Sequence, residues 1–300
     1  MNLIRKISII ALLLLCNNLY GQETEFGSIT EKHKISSQDE GEYILKITFP
    51  KKYSADKEYK TLYYLDAYWL SEITLGSYTI LNLSNSVEDV VFVGISLDGS
   101  EKDWHKQRNM DFTPSPFKNF GILEDRKKLN PENKIKVRFK TGSGDFLSEE
   151  NTGGANLFLD FIENDVIQFV ENKYPNLNKR RGLIGHSLGG LFGFYTLQNR
   201  PELFKDLILI SPSLSWNSFE LVDKSKFSKL TESKSNIKLY HSYGESEITA
   251  IKKSSNNIKS ILVESKIENL NYKFNPFKDS NHHSVLPKAI YDGLFFLYKK

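Results

Sequence analysis

The sequence predicts an α/β fold: a mostly parallel sheet, an antiparallel hairpin at its N-terminal end, and helices on both faces. Three observations carry this. Short, continuously apolar runs of the kind that become buried parallel strands alternate with longer segments of helical periodicity. Two segments of alternating polar and apolar residues precede them, joined by a polar turn. Finally, Gly185-His186-Ser187-Leu188-Gly189 stands between an apolar run and an apolar helix, the strand–turn–helix setting of a nucleophile elbow.

In chain order, residues 1–21 read as a Sec-type secretory signal: Arg5 and Lys6 form a basic start, Ile9–Cys16 an apolar run too short to span a membrane comfortably, and Gly21 a small residue at a cleavage point. A retained anchor is the rival reading, and Leu15 before Cys16 is bulky for a lipidation site. Gly27–Ser36 and Glu42–Phe49 form the hairpin, at one sheet edge. Lys60–Leu65, Val90–Leu97, Gly182–Gly185, Asp206–Ile210, Ile237–Tyr243 and Asn271–Phe274 supply the buried strands. Trp69–Leu83, Ala155–Tyr174, Leu188–Gln198, Ile248–Glu264 and Leu286–Tyr298 supply the helices; in Ala155–Tyr174 the residues Phe158, Phe161, Ile162, Phe169 and Val170 recur at helical spacing and Pro175 follows the end. Residues 101–154 break the alternation, being polar, aromatic and rich in turn residues. A long connection leaving the carboxyl end of a strand lies where open α/β sheets bind ligands, so it reads as a substrate-shaping insertion within a single domain of residues 22–300; a solvated insertion is the plainer alternative.

Composition excludes several classes. The 40 Lys and Arg against 37 Asp and Glu give a net charge of +3, and loss of Arg5 and Lys6 with the signal lowers it further, which argues against a nucleic-acid or anionic-membrane surface. The 1 cysteine, Cys16, falls in the signal, so the exported chain has no disulfide and depends on its core. The 6 histidines are scattered apart from His282-His283, so no metal site is expected and no cofactor is called for. The expected location is periplasmic or extracellular, without stable membrane insertion after signal cleavage.

The elbow gives the chemistry. Ser187 at a strand-to-helix turn sits in strained backbone, and side chains at the flanking glycines would collide with the neighbouring strand and helix. The first helical amide, of Leu188, is free to meet a developing oxyanion, with a second amide expected after Lys60–Leu65, from Ala67 or Tyr68. Asp66 in that loop either pins it or caps the following helix. A neutral hydroxyl needs a base. His241 lies within an apolar strand, whereas His282 and His283 follow the last strand, where a base reaches over the sheet edge; His282 is preferred, with Ser284 as the helix N-cap. The acid is expected in the turn Gly244-Glu245-Ser246-Glu247, as Glu247 or Glu245; either glutamate at a helix start also complements the dipole.

Several motifs together resemble the putative-esterase (esterase D-type) family of α/β-hydrolases, in particular its exported bacterial esterases and enterobactin-type siderophore esterases. They are Tyr64-Leu65-Asp66, Arg108 to Pro114, Gly153 to Phe161, Leu183 to Leu191, Ser211-Pro212-Ser213-Leu214-Ser215-Trp216 and Asn281 to Val285. The resemblance implies carboxylic-ester hydrolysis with Ser187 as nucleophile and His282 as base. The chain departs from the family at Ser215, where an aromatic is frequent, and at His283, where a glycine is frequent. Arg108 either binds substrate or pairs with Asp111. Trp216 either walls the pocket or is simply buried, and His186 joins them as a substrate contact. The expected substrate is a small-molecule or carbohydrate-linked ester, either a siderophore lactone or an acyl or feruloyl ester. A non-catalytic binding protein on this scaffold and an acyltransferase are the competing functions.

Overall fold

The computed structural model describes residues 22–23, 28–37, 41–118 and 147–300. The predicted signal (1–21), the hairpin turn and the middle of the insertion lie outside these. Among the described residues nine strands form one sheet: β1 (Gln22–Glu23), β2 (Ile29–Ser37), β3 (Gly41–Thr48), β4 (Tyr59–Tyr64), β5 (Val90–Leu97), β6 (Leu177–His186), β7 (Asp206–Ile210), β8 (Ile237–Ser242) and β9 (Leu270–Phe274). Their order is β1-β2-β3-β5-β4-β6-β7-β8-β9. The first three strands and the β3–β5 pair run antiparallel, and every pair from β5 through β4 to β9 is parallel. The predicted hairpin is β2–β3, with β1 added outside it.

Eight helices surround the sheet among the described residues: α1 (Ser71–Leu83), α2 (Glu101–Asp111), α3 (Ala155–Phe161), α4 (Ile167–Lys173), α5 (Leu188–Asn199), α6 (Ser228–Glu232), α7 (Thr249–Ser265) and α8 (Leu286–Tyr298). The sheet has two apolar faces and so two cores. On one, Tyr78 and Leu81 of α1 and Ile290 and Leu294 of α8 pack on Leu62, Phe92, Ile184 and Ile208. On the other, α3, α4, α5 and α7 cover Tyr63, Val93, Leu183, Leu207 and Leu239. The single helix expected over 155–174 is interrupted by a π turn, Ile162–Val166. None of the described helices is long and apolar enough to cross a membrane.

The insertion departs from expectation at its start. Residues 101–111 are helical, α2, not irregular. The helix carries few apolar residues, but Ser100 and Asp103 form a reciprocal capping box that satisfies its first amides. Trp104 and Asp111 turn inward.

The topology fixes where a site can form. From β4 the chain crosses through α1 to β5 on one side. From β6 it crosses through α5 to β7 on the other. β4 and β6 are neighbours, so their outgoing loops diverge and leave a crevice at their carboxyl ends, the switch point at which such sheets bind ligands.

Candidate active site

The loop after β6 is the predicted elbow. Ser187 has φ 59° and ψ −116°, a positive-φ conformation that a residue with a Cβ rarely enters. A Cβ on Gly185 would fall onto the Gly189 carbonyl, so a glycine is required there. The expectation fails at Gly189, where a Cβ would stand 3.5 Å from Leu65 Cδ1, an ordinary contact. Ser187 backbone is held by its N–H donating to Ile210 O at 3.0 Å and its carbonyl accepting from Ser213 N at 3.0 Å. Its hydroxyl lies 3.3 Å from Ser213 Oγ.

The candidate base and acid come from the loops beyond β9 and β8. His282 Nδ1 is 2.7 Å from Glu247 Oε2. The other carboxylate oxygen, Oε1, accepts from Gly244 N at 2.9 Å and from Ser211 Oγ. Burial alone would raise the Glu247 carboxyl, but the hydrogen bonds from His282, Ser211 and Gly244 outweigh it and hold it below the usual glutamate value. Glu245, the alternative, is exposed and bonds through its backbone, its N–H donating to Phe277 O and its carbonyl accepting from Lys252 Nζ. A Cβ on Gly244 would collide with the Ser280 carbonyl, so this glycine lets the acid turn and the base loop touch. His283 is exposed overall, but partial covering of its ring, and secondarily the neighbouring His282, lower its basicity. Among the described residues no hydrogen bond joins Ser187 Oγ to His282 Nε2; the two side chains line the same cleft, with the hydroxyl turned to Ser213.

Ser284 is not the cap of α8, which begins after Val285 without a side-chain cap. Asn281 caps the preceding turn instead, its Oδ1 accepting from His283 N and Ser284 N at 3.0 Å each.

The loop after β4 faces the elbow. Asp66 adopts φ 56° and is fully buried. It is not the cap of α1, whose N-cap is Leu70. Arg108 of α2 meets Asp66 through two hydrogen bonds, Nε to Oδ1 and Nη2 to Oδ2, both 2.9 Å. Asp111, the partner considered for Arg108, instead accepts from Tyr43 OH at 2.9 Å and from Gln107 at 2.7 Å. The Arg108 guanidinium also lies 5.2 Å from the Trp104 ring centre and 5.4 Å from that of Phe112. Of the amides considered for the oxyanion, Ala67 N–H is committed to Ile95 O at 3.1 Å and is unavailable. Tyr68 N–H meets no backbone acceptor among the described residues, and Leu188 N–H opens α5.

These loops enclose a cleft of about 250 Å³ lined by Ser187, His282, His283, His186, Tyr68, Trp69, Glu101, Trp104, His105 and Arg108. Tyr68 and Trp104 stack at 5.6 Å and 14°. Trp216 does not line it. The indole is wholly buried, donates from Nε1 to Ser115 O at 3.1 Å and packs 5.1 Å from Phe117. His186 borders the cleft but is 2% exposed, and its Nε2 is 2.8 Å from His282 O. Sequence reasoning gave no role to Ser211, Ser213, Trp69 or Trp104. The spacing of Ser211 and Ser213 at the end of β7, one strand over from the elbow, is the signal that points to the first two. No group of three or more His, Cys, Asp or Glu side chains suited to a metal occurs among the described residues.

The chain matches the family described as Putative esterase over residues 132–284. It is similar to the siderophore triacetylfusarinine C esterase of Aspergillus fumigatus, 44% identical over 75 residues, 25% of this chain and 26% of that one. It is also similar to the ferri-bacillibactin esterase BesA of Bacillus subtilis, 32% identical over 149 residues, 48% of this chain and 52% of that one. The chain thus spans from about a quarter to about half the length of these curated relatives. Among solved structures it resembles the BES protein from Bacillus cereus, with a TM-score of 0.75 and 25% identity over 90% of this chain and 96% of that one. An IroE-like serine hydrolase from Shewanella oneidensis shares the fold, with a TM-score of 0.71 and 20% identity over 89% of this chain and 79% of that one.

Proposed function

The chain belongs to the Putative esterase family, and we propose that it hydrolyses carboxylic esters through an acyl-enzyme formed on Ser187. The observation that carries this is the meeting, in one cleft, of a serine in strained elbow backbone with a histidine whose far nitrogen is held by a buried carboxylate. In the reaction Ser187 Oγ swings from Ser213 toward His282 Nε2, loses its proton there and attacks the ester carbonyl carbon. The carbonyl electrons move onto oxygen, where the Leu188 and Tyr68 amides receive the charge. Collapse returns the proton from His282 to the departing alcohol. Water, deprotonated by the same nitrogen, then releases the acid. Glu247 keeps the His282 proton on Nδ1 and stabilises the imidazolium.

The substrate we propose is a small-molecule ester or lactone of the siderophore type, a reading supported by the names of the curated relatives. An acyl or feruloyl ester on a carbohydrate is the second reading, since the aromatic wall of Tyr68, Trp69 and Trp104 suits an aryl group of either origin. The chain is further read as one domain over residues 22–300 with a Sec-type signal at 1–21 and a substrate-shaping segment at 101–154. N-terminal sequencing of exported protein that begins elsewhere than Gln22 refutes the signal assignment.

The test is hydrolysis of p-nitrophenyl acetate by the purified chain, followed by a panel of a ferric-siderophore lactone and feruloylated and acetylated oligosaccharides. Ser187→Ala is expected to abolish turnover with the fold unchanged by circular dichroism. Full activity in that variant removes the acyl-enzyme. Ligand binding without turnover in the intact protein turns the assignment to a binding module, and ester formation with an added alcohol outpacing hydrolysis turns it to an acyltransferase.

A further inference from the structure

We infer that His186 is a positioning residue for the base: its Nε2–H holds the carbonyl of His282 and so sets where that imidazole stands relative to Ser187. The inference rests on the ester-hydrolase reading above and adds a member to its machinery. The contact is 2.8 Å, and a carbonyl only accepts, so Nε2 must carry the proton. Burial, and secondarily the nearby His282, push the His186 imidazole well below its usual range, leaving a neutral ring with a bare Nδ1. That Nδ1 has no partner among the described residues. The side chain therefore makes one directed bond, and it makes it to the backbone of the base.

The location explains why this matters. His186 is the residue before Ser187, so its backbone is fixed by β6 and by the elbow. Its ring lies 4.5 Å from that of His282 and meets Trp69, in the loop that carries the Tyr68 amide, edge-on at 5.7 Å and 77°. One buried ring thus touches the loops supplying nucleophile, base and oxyanion donor. Glu247 anchors His282 at Nδ1 only, and an imidazole held at one atom still pivots about it. The bond to the His282 carbonyl adds a second fixed point, on the main chain. Nothing in this geometry gives His186 a proton to exchange with substrate, because its one N–H is spent on the carbonyl. It acts through His282, and displacing a reacting group by about 1 Å costs roughly 10²-fold in rate.

The experiment separates this bond from mere packing. His186→Phe keeps a ring against Trp69 and removes the donor; His186→Gln restores an amide N–H at similar reach. Both are compared with the parent chain using acetyl esters of p-nitrophenol and of ethanol, which share an acyl group but differ in the leaving group's need for a proton. The expected result is a fall in kcat/KM of about 10- to 100-fold for ethyl acetate in His186→Phe, a smaller fall for the nitrophenyl ester, and recovery of most of the loss in His186→Gln. Parental activity on both esters in His186→Phe overturns the inference. Equal losses on both esters, without recovery in His186→Gln, overturn it too, because that pattern is what packing alone produces. If thermal melting shows His186→Phe to be unfolded, His186→Met supplies the donor-free variant and is read by the same two criteria. Retained hydrolysis in Ser187→Ala, by contrast, sinks the ester-hydrolase reading itself and is recognised independently of any His186 variant.

Discussion

Glu247→Gln is a near-isosteric change whose effect the surrounding donors dictate. One carboxylate oxygen accepts from Gly244 N–H and Ser211 Oγ–H, the other from His282 Nδ1–H. An amide has only one acceptor end. The Ser211 hydroxyl can rotate to accept instead, but the Gly244 N–H is fixed main chain and needs an oxygen. The glutamine oxygen must therefore face Gly244, which turns its NH₂ toward His282 Nδ1. The imidazole is then driven to the tautomer protonated on Nε2, the nitrogen that has to accept from Ser187. Restoring the right tautomer means leaving the buried Gly244 N–H against an N–H, about 1–3 kcal/mol, and the imidazolium has also lost a charge-assisted bond of about 1.5–3 kcal/mol. Together these predict a fall in kcat of about 10²- to 10⁴-fold. Glu247→Ala should fall less, because no N–H is forced against Nδ1. The assay is p-nitrophenyl acetate hydrolysis at pH 8, with near-UV circular dichroism to confirm the fold. A Glu247→Gln enzyme within threefold of the parent, or one clearly more active than Glu247→Ala, refutes the reasoning.

Other expectations follow from single contacts. Gly244→Ala puts a Cβ into the Ser280 carbonyl and must part the acid turn from the base loop, so activity should drop at least tenfold on p-nitrophenyl acetate even where the chain still melts cooperatively. Arg108→Met leaves the wholly buried Asp66 carboxylate without its guanidinium and should destabilise the chain by about 3–5 kcal/mol in urea unfolding; an unchanged midpoint contradicts this. Trp216→Phe should lower the melting temperature through the lost bond to Ser115 while leaving KM unchanged, since the indole lies outside the cleft. Burial pushes the His241 imidazole down to about 3. Its unfolded value is near 6.5, so the native state takes up fewer protons between these values. The contribution is full above about pH 6.5 and is lost, at about 1.4 kcal/mol per pH unit, as pH falls toward 3. His241→Gln should flatten the pH dependence of unfolding free energy between pH 6 and pH 4; an unaltered slope would show that other groups govern it.

Strand and helix alternation was legible because both sheet faces are buried, which forces continuous apolar runs, and Leu286–Tyr298 was placed to the residue. The elbow was legible because its strain demands a local pattern. α2 was not, since a helix with Trp104 and Met110 as its few apolar residues shows little periodicity; the Ser100–Asp103 box was the available sign. The choice between Glu245 and Glu247 turns on the direction in which a four-residue turn projects, and that is set by Ser211 and Ser280 from other segments. Sequence offers near neighbours, so Asp111, three residues away, stands as the pairing alternative to a substrate contact for Arg108; its partner Asp66 lies 42 positions off and is brought close by the sheet. Trp216 shows the same limit: a large aromatic beyond a strand end reads equally as wall or core, and only the path of residues 115–117 across it decides for core.

The order of the strands has a consequence in time. From β6 onward each new strand lies outside the previous one, so Ser187, Glu247 and His282 follow strands placed progressively further toward the sheet edge. The Ser187 elbow can form with the central strands, but the proposed base does not face it until the loop after β9, the edge strand on that side, has docked. Partly folded chains therefore carry an exposed serine without the means to activate it. Recovery of turnover during refolding should accordingly lag the first appearance of sheet, making catalysis a report on completion of the fold.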